Sequence, residues 1–242
     1  MAADGQRHVV AFGGLPGPDS PDPSLRPYLD FLAGLTGRPR PRICLLATAA
    51  GDDPAAVERN LARLGATGCE VTHLSLFPMP NVADPADLLL SQDVIFVGGG
   101  SVANMLAVWR VHGLPPVMRT AWESGIVLTG VSAGAICWFE GGTTDSFGPD
   151  LRPFTAGLGL LPGSYCPHYD AEPRRRPAFT SLVADGTLAA GIACDDGAGA
   201  HFTGGTLTGI VSALPGARGY RVTPGGPGGV TETPLPASPL AG

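Results

Sequence analysis

The residues with the clearest chemical meaning are Gly130-Val131-Ser132-Ala133-Gly134, which follow an apolar run and open a helical pattern. A G-x-S-x-G sequence between a strand and a helix places the serine on a tight turn, with its oxygen above the carboxyl edge of the sheet. The first turn of the helix, including the N–H of Ala133, can then stabilise an oxyanion. The pattern favours nucleophilic acyl transfer at Ser132 over a purely structural turn.

A run of three glycines, Gly98, Gly99 and Gly100, ends another apolar run and opens another helical pattern. If the two strands are neighbours, the N–H of Gly100 is a second oxyanion donor at the same sheet edge. The alternative is a non-catalytic nucleotide-binding module, because the spacing also matches a relaxed dinucleotide fingerprint. That fingerprint requires an acidic residue at a strand end, whereas Glu123, which has the required spacing, falls in a helical pattern.

A serine hydroxyl becomes a good nucleophile when an imidazole takes its proton and a carboxylate orients that imidazole. His168 lies in a proline-constrained loop, and His201 follows an apolar strand that ends in Asp195 and Asp196. The residues alone leave both histidines open. A base at His201 would give an esterase-like α/β-hydrolase with the chain order serine, aspartate, histidine. Strand alternation lets only one of the two aspartates face the site.

Apolar strand patterns alternate with helical patterns through most of the chain. The strand patterns lie at 7–14, 42–49, 69–77, 93–100 and 125–132. Continuous Val, Ile and Leu runs of this kind predict an α/β fold with a mostly parallel, doubly wound sheet and helices on both faces. Two further strands around Gly204 and Gly205 add a C-terminal β-hairpin.

The remaining segments have weaker patterns. Helices are predicted from Ala133 onward and over 174–184, and residues 142–166 are predicted to be one long connection. We expect residues 1–222 to form a single domain. Residues 223–242 are rich in proline and glycine, which predicts a mobile tail.

Composition and charge exclude several classes of protein. The net charge is −6, and the run Arg174–Arg176 is the longest stretch of basic residues, which argues against a nucleic-acid partner. No apolar stretch approaches the roughly 20 residues that span a bilayer, and the first residues lack a secretory signal. The five scattered cysteines predict reduced thiols and a cytoplasmic location. No metal-ligand motif is present, so neither a metal nor a cofactor is expected.

Five ordered motifs together resemble the peptidase E (aspartyl dipeptidase, S51) family, which has a class I glutamine amidotransferase-like fold. The motifs are FVGGGSVANML (96–106), GVSAGAICWF (130–139), TTDSFG (143–148), CPHYD (166–170) and DDG (195–197). The resemblance implies a serine dipeptidase that cleaves short peptides after an N-terminal residue, with aspartate as the expected residue. It also implies activity without metal or cofactor. We treat a homodimer as a candidate assembly.

The resemblance also implies roles for individual residues. Ser132 corresponds to the nucleophile, His168 to the base, and Gly100 and Ala133 to the oxyanion donors. The family's orienting glutamate corresponds to Asp196, whose side chain is shorter by one methylene, so His168 must either lie closer to it or be oriented by another group.

Two other positions are candidates for substrate binding. Asp145 is the nearest acidic match to the family's motif and could hold the substrate's amino group. One of Arg174, Arg175 and Arg176 could bind an acidic side chain. A run of arginines is also typical of a solvated helix face, and we favour that interpretation for at least two of the three. Ser101 replaces the asparagine that usually follows the three glycines.

Overall fold

The structure is a computed structural model that describes residues 6–17, 24–226 and 228–240. Its strands are β1 (His8–Phe12), β2 (Arg42–Leu46), β3 (Glu70–Leu74), β4 (Val94–Val97), β5 (Val127–Val131), β6 (Phe139–Thr144), β7 (Arg152–Phe154), β8 (Leu161–Cys166), β9 (Gly191–Cys194), β10 (Ala198–Thr203), β11 (Thr206–Ser212), β12 (Arg218–Pro224) and β13 (Val230–Pro239). Its helices are α1 (Arg26–Thr36), α2 (Pro54–Gly65), α3 (Pro85–Leu90), α4 (Val102–Val111), α5 (Leu114–Glu123), α6 (Ala133–Ile136) and α7 (Arg175–Ala184).

One half of the sheet is parallel and is covered on both faces. Its strands lie in the order β3-β2-β4-β5-β1, and every neighbouring pair is parallel. In β1, Val9 and Ala11 pack into one hydrophobic cluster with α4, α5 and α6, whereas Val10 and Phe12 pack into the opposite cluster with α1 and α2. Alternate residues of one strand therefore enter two cores, which confirms the doubly wound arrangement.

The sheet continues on the other side of β1 with strands of mixed direction. Strand β10 is antiparallel to β1 and forms the predicted hairpin with β11. The order then runs β13-β12-β9-β8-β6-β7. Helix α7 packs on this half, where Phe179 and Val183 share a hydrophobic cluster with Cys166 and Val222. Within the described residues, no helix is long and apolar enough to cross a membrane.

The segment 142–166 differs from the single long connection predicted for it, because it contains β7, β8 and the end of β6. Glycines at crowded positions weaken the sequence pattern of these strands. A Cβ on Gly141 would lie 2.1 Å from the carbonyl oxygen of Phe154, and one on Gly142 would lie 2.2 Å from that of Tyr165. The helix predicted from Ala133 is present but ends at Ile136, after one turn.

The prediction of a mobile tail over 223–242 is also corrected, although residues 227, 241 and 242 lie outside the described part. The proposed boundary at 222 falls inside β12, and β13 pairs with both β12 and β11. Residues two apart in a strand direct their N–H groups to the same side. Pro234 and Pro236 therefore remove hydrogen-bond donors from one side of β13 only, which makes the prolines tolerable. Strand β13 pairs with β11 only from Ala237 onward.

Candidate active site

Ser132 lies on the sharp turn between β5 and α6. Its φ of 55° and ψ of −116° are unusual for a residue with a side chain, and such conformations cost on the order of 1–3 kcal/mol. The turn is held from both sides, because the N–H of Ser132 donates to the carbonyl of Phe12 at 3.2 Å and its carbonyl accepts from Ala135 at 2.9 Å. The strain is therefore supported by β1 and α6.

The two glycines that flank the serine allow β4, β5 and α6 to approach closely. A Cβ on Gly130 would lie 2.2 Å from the carbonyl oxygen of Gly134, and one on Gly134 would lie 2.3 Å from that of Val97. Both distances are far shorter than any ordinary van der Waals contact. The G-x-S-x-G spacing is therefore a packing requirement of this turn.

The glycine loop lies beside Ser132, as its position after β4 predicts. A Cβ on Gly99 would lie 3.3 Å from the Cβ of Ser132. Gly100 has a φ of 135°, and a Cβ there would lie 2.2 Å from the carbonyl oxygen of Ala49. In the described residues, neither Gly100 nor Ala133 donates its N–H to a backbone carbonyl. Both N–H groups are therefore left without a backbone acceptor among these residues.

His168 follows β8 in a loop that is anchored by its backbone. Its φ is 52°, its carbonyl accepts from Glu172 at 3.1 Å, and the N–H of Tyr169 donates to the carbonyl of Cys194 at 3.1 Å. The Nδ1 atom of His168 lies 2.7 Å from Oδ1 of Asp196. A carboxylate at this distance accepts the Nδ1 proton, so Nε2 is the nitrogen left to act as a base.

Asp196 reaches His168 because the neighbouring Gly14 has no side chain and leaves room for the carboxylate. Gly14 forms a β-bridge with Asp196, and a Cβ on Gly14 would lie 2.1 Å from Oδ1 of Asp196. The N–H of Asp196 donates to Oδ1 of Asp170 at 2.8 Å, which joins this turn to the histidine loop. The aspartate carboxylate therefore reaches the imidazole of His168.

Asp195 points the other way, as strand alternation predicts. Its Oδ2 accepts from the N–H of Arg218 at 3.0 Å and from the hydroxyl of Tyr220 at 3.4 Å. Burial raises the pKa of the Asp195 carboxyl. Of the two adjacent carboxylates, Asp196 alone bonds to the histidine.

A cleft of about 340 Å³ lies over the carboxyl ends of β1, β4 and β5. Its lining is Gly14, Leu15, Leu25, Asn60, Arg63, Leu64, Phe96, Gly98, Gly99, Gly100, Val131, Ser132 and His168. Arg63 is the one permanently charged side chain among the described residues that line the cleft. It extends from α2 and donates to the carbonyl of Pro16, and burial lowers its pKa.

Asp145 does not line the cleft and lies against Arg175. Its Oδ2 is 3.9 Å from Nη2 of Arg175. The Arg175 side chain is only 3% exposed. It donates from Nε to Glu172 at 2.7 Å and from Nη1 to the carbonyl of Thr143 at 3.1 Å. This network holds α7 against β6, so the contacts of Asp145 and Arg175 are structural.

The other two arginines of the run also lie outside the cleft lining. Arg174 is exposed, with Nη1 3.8 Å from Oδ1 of Asp150. Arg176 donates to Glu232 on β13. The geometry therefore favours a solvated or structural interpretation for the run and does not place these residues, or Asp145, beside Ser132.

His201 lies on β10 opposite Val10 and is absent from the cleft lining. Its Nε2 is 3.1 Å from Nδ1 of His8, and its ring contacts the edge of Phe31 with 5.4 Å between centroids. Burial, together with the neighbouring His8, lowers the pKa of His201 to about 4. The arrangement with His201 as base is thus wrong for this site.

Two other observations concern a nucleotide or metal at this site. Glu123 ends α5 and does not end a strand, which disfavours a dinucleotide site. Within the described residues, no three His, Cys, Asp or Glu side chains could together hold a metal ion.

Sequence reasoning missed Gly14, Arg63 and Asp170. The pair of glycines after the first strand was a signal for Gly14, whereas nothing in the sequence singles out Arg63 from other helix arginines.

The fold and the turn define an α/β protein with a nucleophile-elbow geometry at the carboxyl edge of a parallel sheet. The sequence model of peptidase family S51 matches residues 18–210, and the chain belongs to this family. The protein is accordingly a hydrolase of the peptidase class.

Individual relatives agree with this assignment. The chain is 41% identical over 234 residues to the uncharacterized peptidase YgaJ of Bacillus subtilis (strain 168), covering 97% of this chain and 99% of that protein. It is 40% identical over 90 residues to peptidase E of Shewanella amazonensis (strain ATCC BAA-1098 / SB2B), covering 36% of this chain and 37% of that one. A peptidase from an acI-B1 Actinobacterium shares the fold, with a TM-score of 0.67 at 17% identity over 96% of this chain and 95% of that chain.

Proposed function

We propose that this chain is a serine-type dipeptidase that cleaves short peptides after the N-terminal residue through an acyl-enzyme on Ser132. One observation carries the proposal. Ser132 stands on a strained strand-to-helix turn and lines the same cleft as His168, whose Nδ1 is 2.7 Å from Asp196. A serine is activated by an imidazole that a carboxylate orients, and Ser132, His168 and Asp196 supply these three groups.

The chemistry follows from this arrangement. His168 Nε2 takes the Ser132 proton as the oxygen attacks the first peptide carbonyl, and the N–H groups of Ala133 and Gly100 bind the oxyanion. His168 then gives the proton to the leaving amine as the C–N bond breaks. Water, deprotonated by the same imidazole, releases the N-terminal residue as a free acid and restores the serine. Asp196 stabilises the imidazolium in each step.

The size and charge of the cleft support a small, acidic substrate. Its volume of about 340 Å³ lies at the lower end of the roughly 300–1,000 Å³ of small-molecule sites, which suits a dipeptide better than a long chain. Among the described residues that line the cleft, Arg63 is the cationic side chain. This charge supports a preference for N-terminal aspartate, since a guanidinium pairs well with a carboxylate.

The first experiment tests the nucleophile and the base. Fluorophosphonate labelling should modify the wild type at Ser132 and should fail in Ser132→Ala. His168→Ala should lose labelling and peptidase activity, whereas His201→Ala should keep both. An unlabelled wild type, or an active His168→Ala with an inactive His201→Ala, would overturn the proposal.

The second experiment tests the substrate. Release of the N-terminal residue should be faster from Asp-Leu than from Ala-Leu or Glu-Leu. Arg63→Gln should remove that preference. Arg59→Gln, an exposed arginine on the same helix and outside the cleft lining, is the matched control and should retain it. Equal rates on all three dipeptides in the wild type would contradict the aspartate preference and leave the serine chemistry unaffected.

A further inference from the structure

Strands β12 and β13 lie beyond residue 210, where the family match ends. One side chain of β13 nevertheless reaches the histidine loop. Glu232 accepts a hydrogen bond from the hydroxyl of Tyr169, the residue that follows His168. Its two carboxylate oxygens also accept from Nε of Arg176 at 3.2 and 3.1 Å. The contact joins the C-terminal strand to the loop that carries the candidate base.

Tyr169 is held on its ring as well as at its hydroxyl. It is 3% exposed. Its ring packs edge-on against Phe179 with 6.3 Å between centroids and lies 5.1 Å from the ring of Tyr220. The Arg176 guanidinium lies 5.1 Å from the ring centroid of Tyr169. Burial opposes ionisation of Glu232, but the bonds from Arg176 and Tyr169 lower its pKa. Glu232 is thus a charged acceptor at neutral pH.

His168 needs support of this kind because its backbone is strained. A positive φ of 52° in a residue with a side chain persists only where the surroundings over-determine it. The neighbouring Tyr169 is one anchor, and Glu232 fixes its far end. We propose that Glu232 on β13 is a positioning residue for His168, acting through Tyr169. This inference rests on the proposed function, in which His168 is the base.

The test compares variants at both ends of the contact. Glu232→Ala and Tyr169→Phe should each slow fluorophosphonate labelling of Ser132 by about tenfold, because small displacements of a base are costly. The double variant should be no slower than the slower single variant, since both changes remove the same bond. Thr233→Ala, an exposed residue on the same strand, is the control and should label at the wild-type rate.

A conservative variant separates positioning from general stability. Glu232→Gln keeps an acceptor for the Tyr169 hydroxyl, so its labelling rate should stay within about twofold of wild type, although the weaker pairing with Arg176 should lower its Tm. Wild-type labelling in Glu232→Ala and Tyr169→Phe would overturn the inference. A rate that follows Tm across all variants, including Glu232→Gln, would also overturn it.

A second readout distinguishes failure of this inference from failure of the proposed function. The ring nitrogen signals of His168 in ¹⁵N NMR report its hydrogen bond to Asp196 whether or not Ser132 reacts. Glu232→Ala should shift these signals, and Thr233→Ala should not. Unchanged His168 signals in Glu232→Ala would overturn the inference, whereas an unlabelled wild type with shifted signals would overturn only the serine chemistry.

Discussion

Asp195 and Asp196 are neighbours in the chain, yet their carboxylates have different partners, so the same substitution should have different effects at each. Asp196→Ala removes the acceptor of the His168 Nδ1 proton and should lower kcat by about 10⁴-fold, the loss seen when the orienting aspartate of a catalytic triad is replaced. The Asp196 side chain is 40% exposed, so the Tm should change little. Steady-state kinetics and thermal unfolding measure the two effects.

Asp195→Ala is the matched control for this prediction. It removes an acceptor for the Arg218 N–H and the Tyr220 hydroxyl, so the free energy of unfolding should fall by about 1–3 kcal/mol. Activity of the folded fraction should remain near wild type. Full activity in Asp196→Ala, or its loss in Asp195→Ala alone, would mean that the orienting carboxylate has been misassigned.

At the level of single residues, the sequence predicted positions that carry a motif and missed those that act through space. Ser132 could be predicted because its turn chemistry is local, whereas only the family resemblance separated His168 from His201. Asp145 and Arg175 could not be placed, because a favourable charge in the sequence does not reveal that the two side chains lie 3.9 Å apart, beside β6. Arg63 reaches the cleft only through the packing of α2.

At the level of elements, close approach of backbones shapes the site, and Gly14 gives a direct test. In Gly14→Ala the new Cβ would meet Oδ1 of Asp196 at 2.1 Å, so the carboxylate must move away from His168. Activity should fall by at least about tenfold. Gly34→Ala, within α1, is the control because a Cβ there meets nothing within 4 Å. It should keep activity and raise stability by about 0.5–1 kcal/mol. Wild-type activity in Gly14→Ala would show that the Asp196 contact is dispensable.

Most of the parallel half of the sheet was predictable because β1, β2, β4 and β5 are largely buried and read as apolar runs, whereas the edge strand β3 is partly exposed. The second half was harder, because its strands contain the residues that usually mark turns. β6 includes Gly141 and Gly142, and β13 includes Pro234 and Pro236. Their glycines allow neighbouring backbones to approach, and their prolines lie where one side of the strand is unpaired. Neither condition can be recognised without the pairing partners.

For the whole molecule, the His8–His201 pair predicts how stability depends on pH. The two rings share a hydrogen bond of 3.1 Å between β1 and β10, the strands that join the two halves of the sheet. Burial lowers the pKa of His8, and burial with His8 nearby lowers that of His201 from 6.5 to about 4. Thr203 also contacts His8, and Phe31 packs on His201. No carboxylate in the described part of the chain bonds to either ring.

The sign follows from the direction of the shift. Above pH 6.5 His201 is neutral in both the folded and unfolded states, so its contribution to stability is complete. Between pH 6.5 and about 4 the unfolded chain binds the proton more readily, so stability falls as the pH falls. The loss should be on the order of 1–2 kcal/mol once solvent screening is allowed for. His201→Gln should flatten the Tm profile across this window, whereas His112→Gln, an exposed histidine at the end of α4, should leave it unchanged. If Tm falls with pH in the same way for wild type and His201→Gln, the folded state does not lower the pKa of His201. A neutral His201 would then contribute nothing to the stability of the junction between the two halves of the sheet.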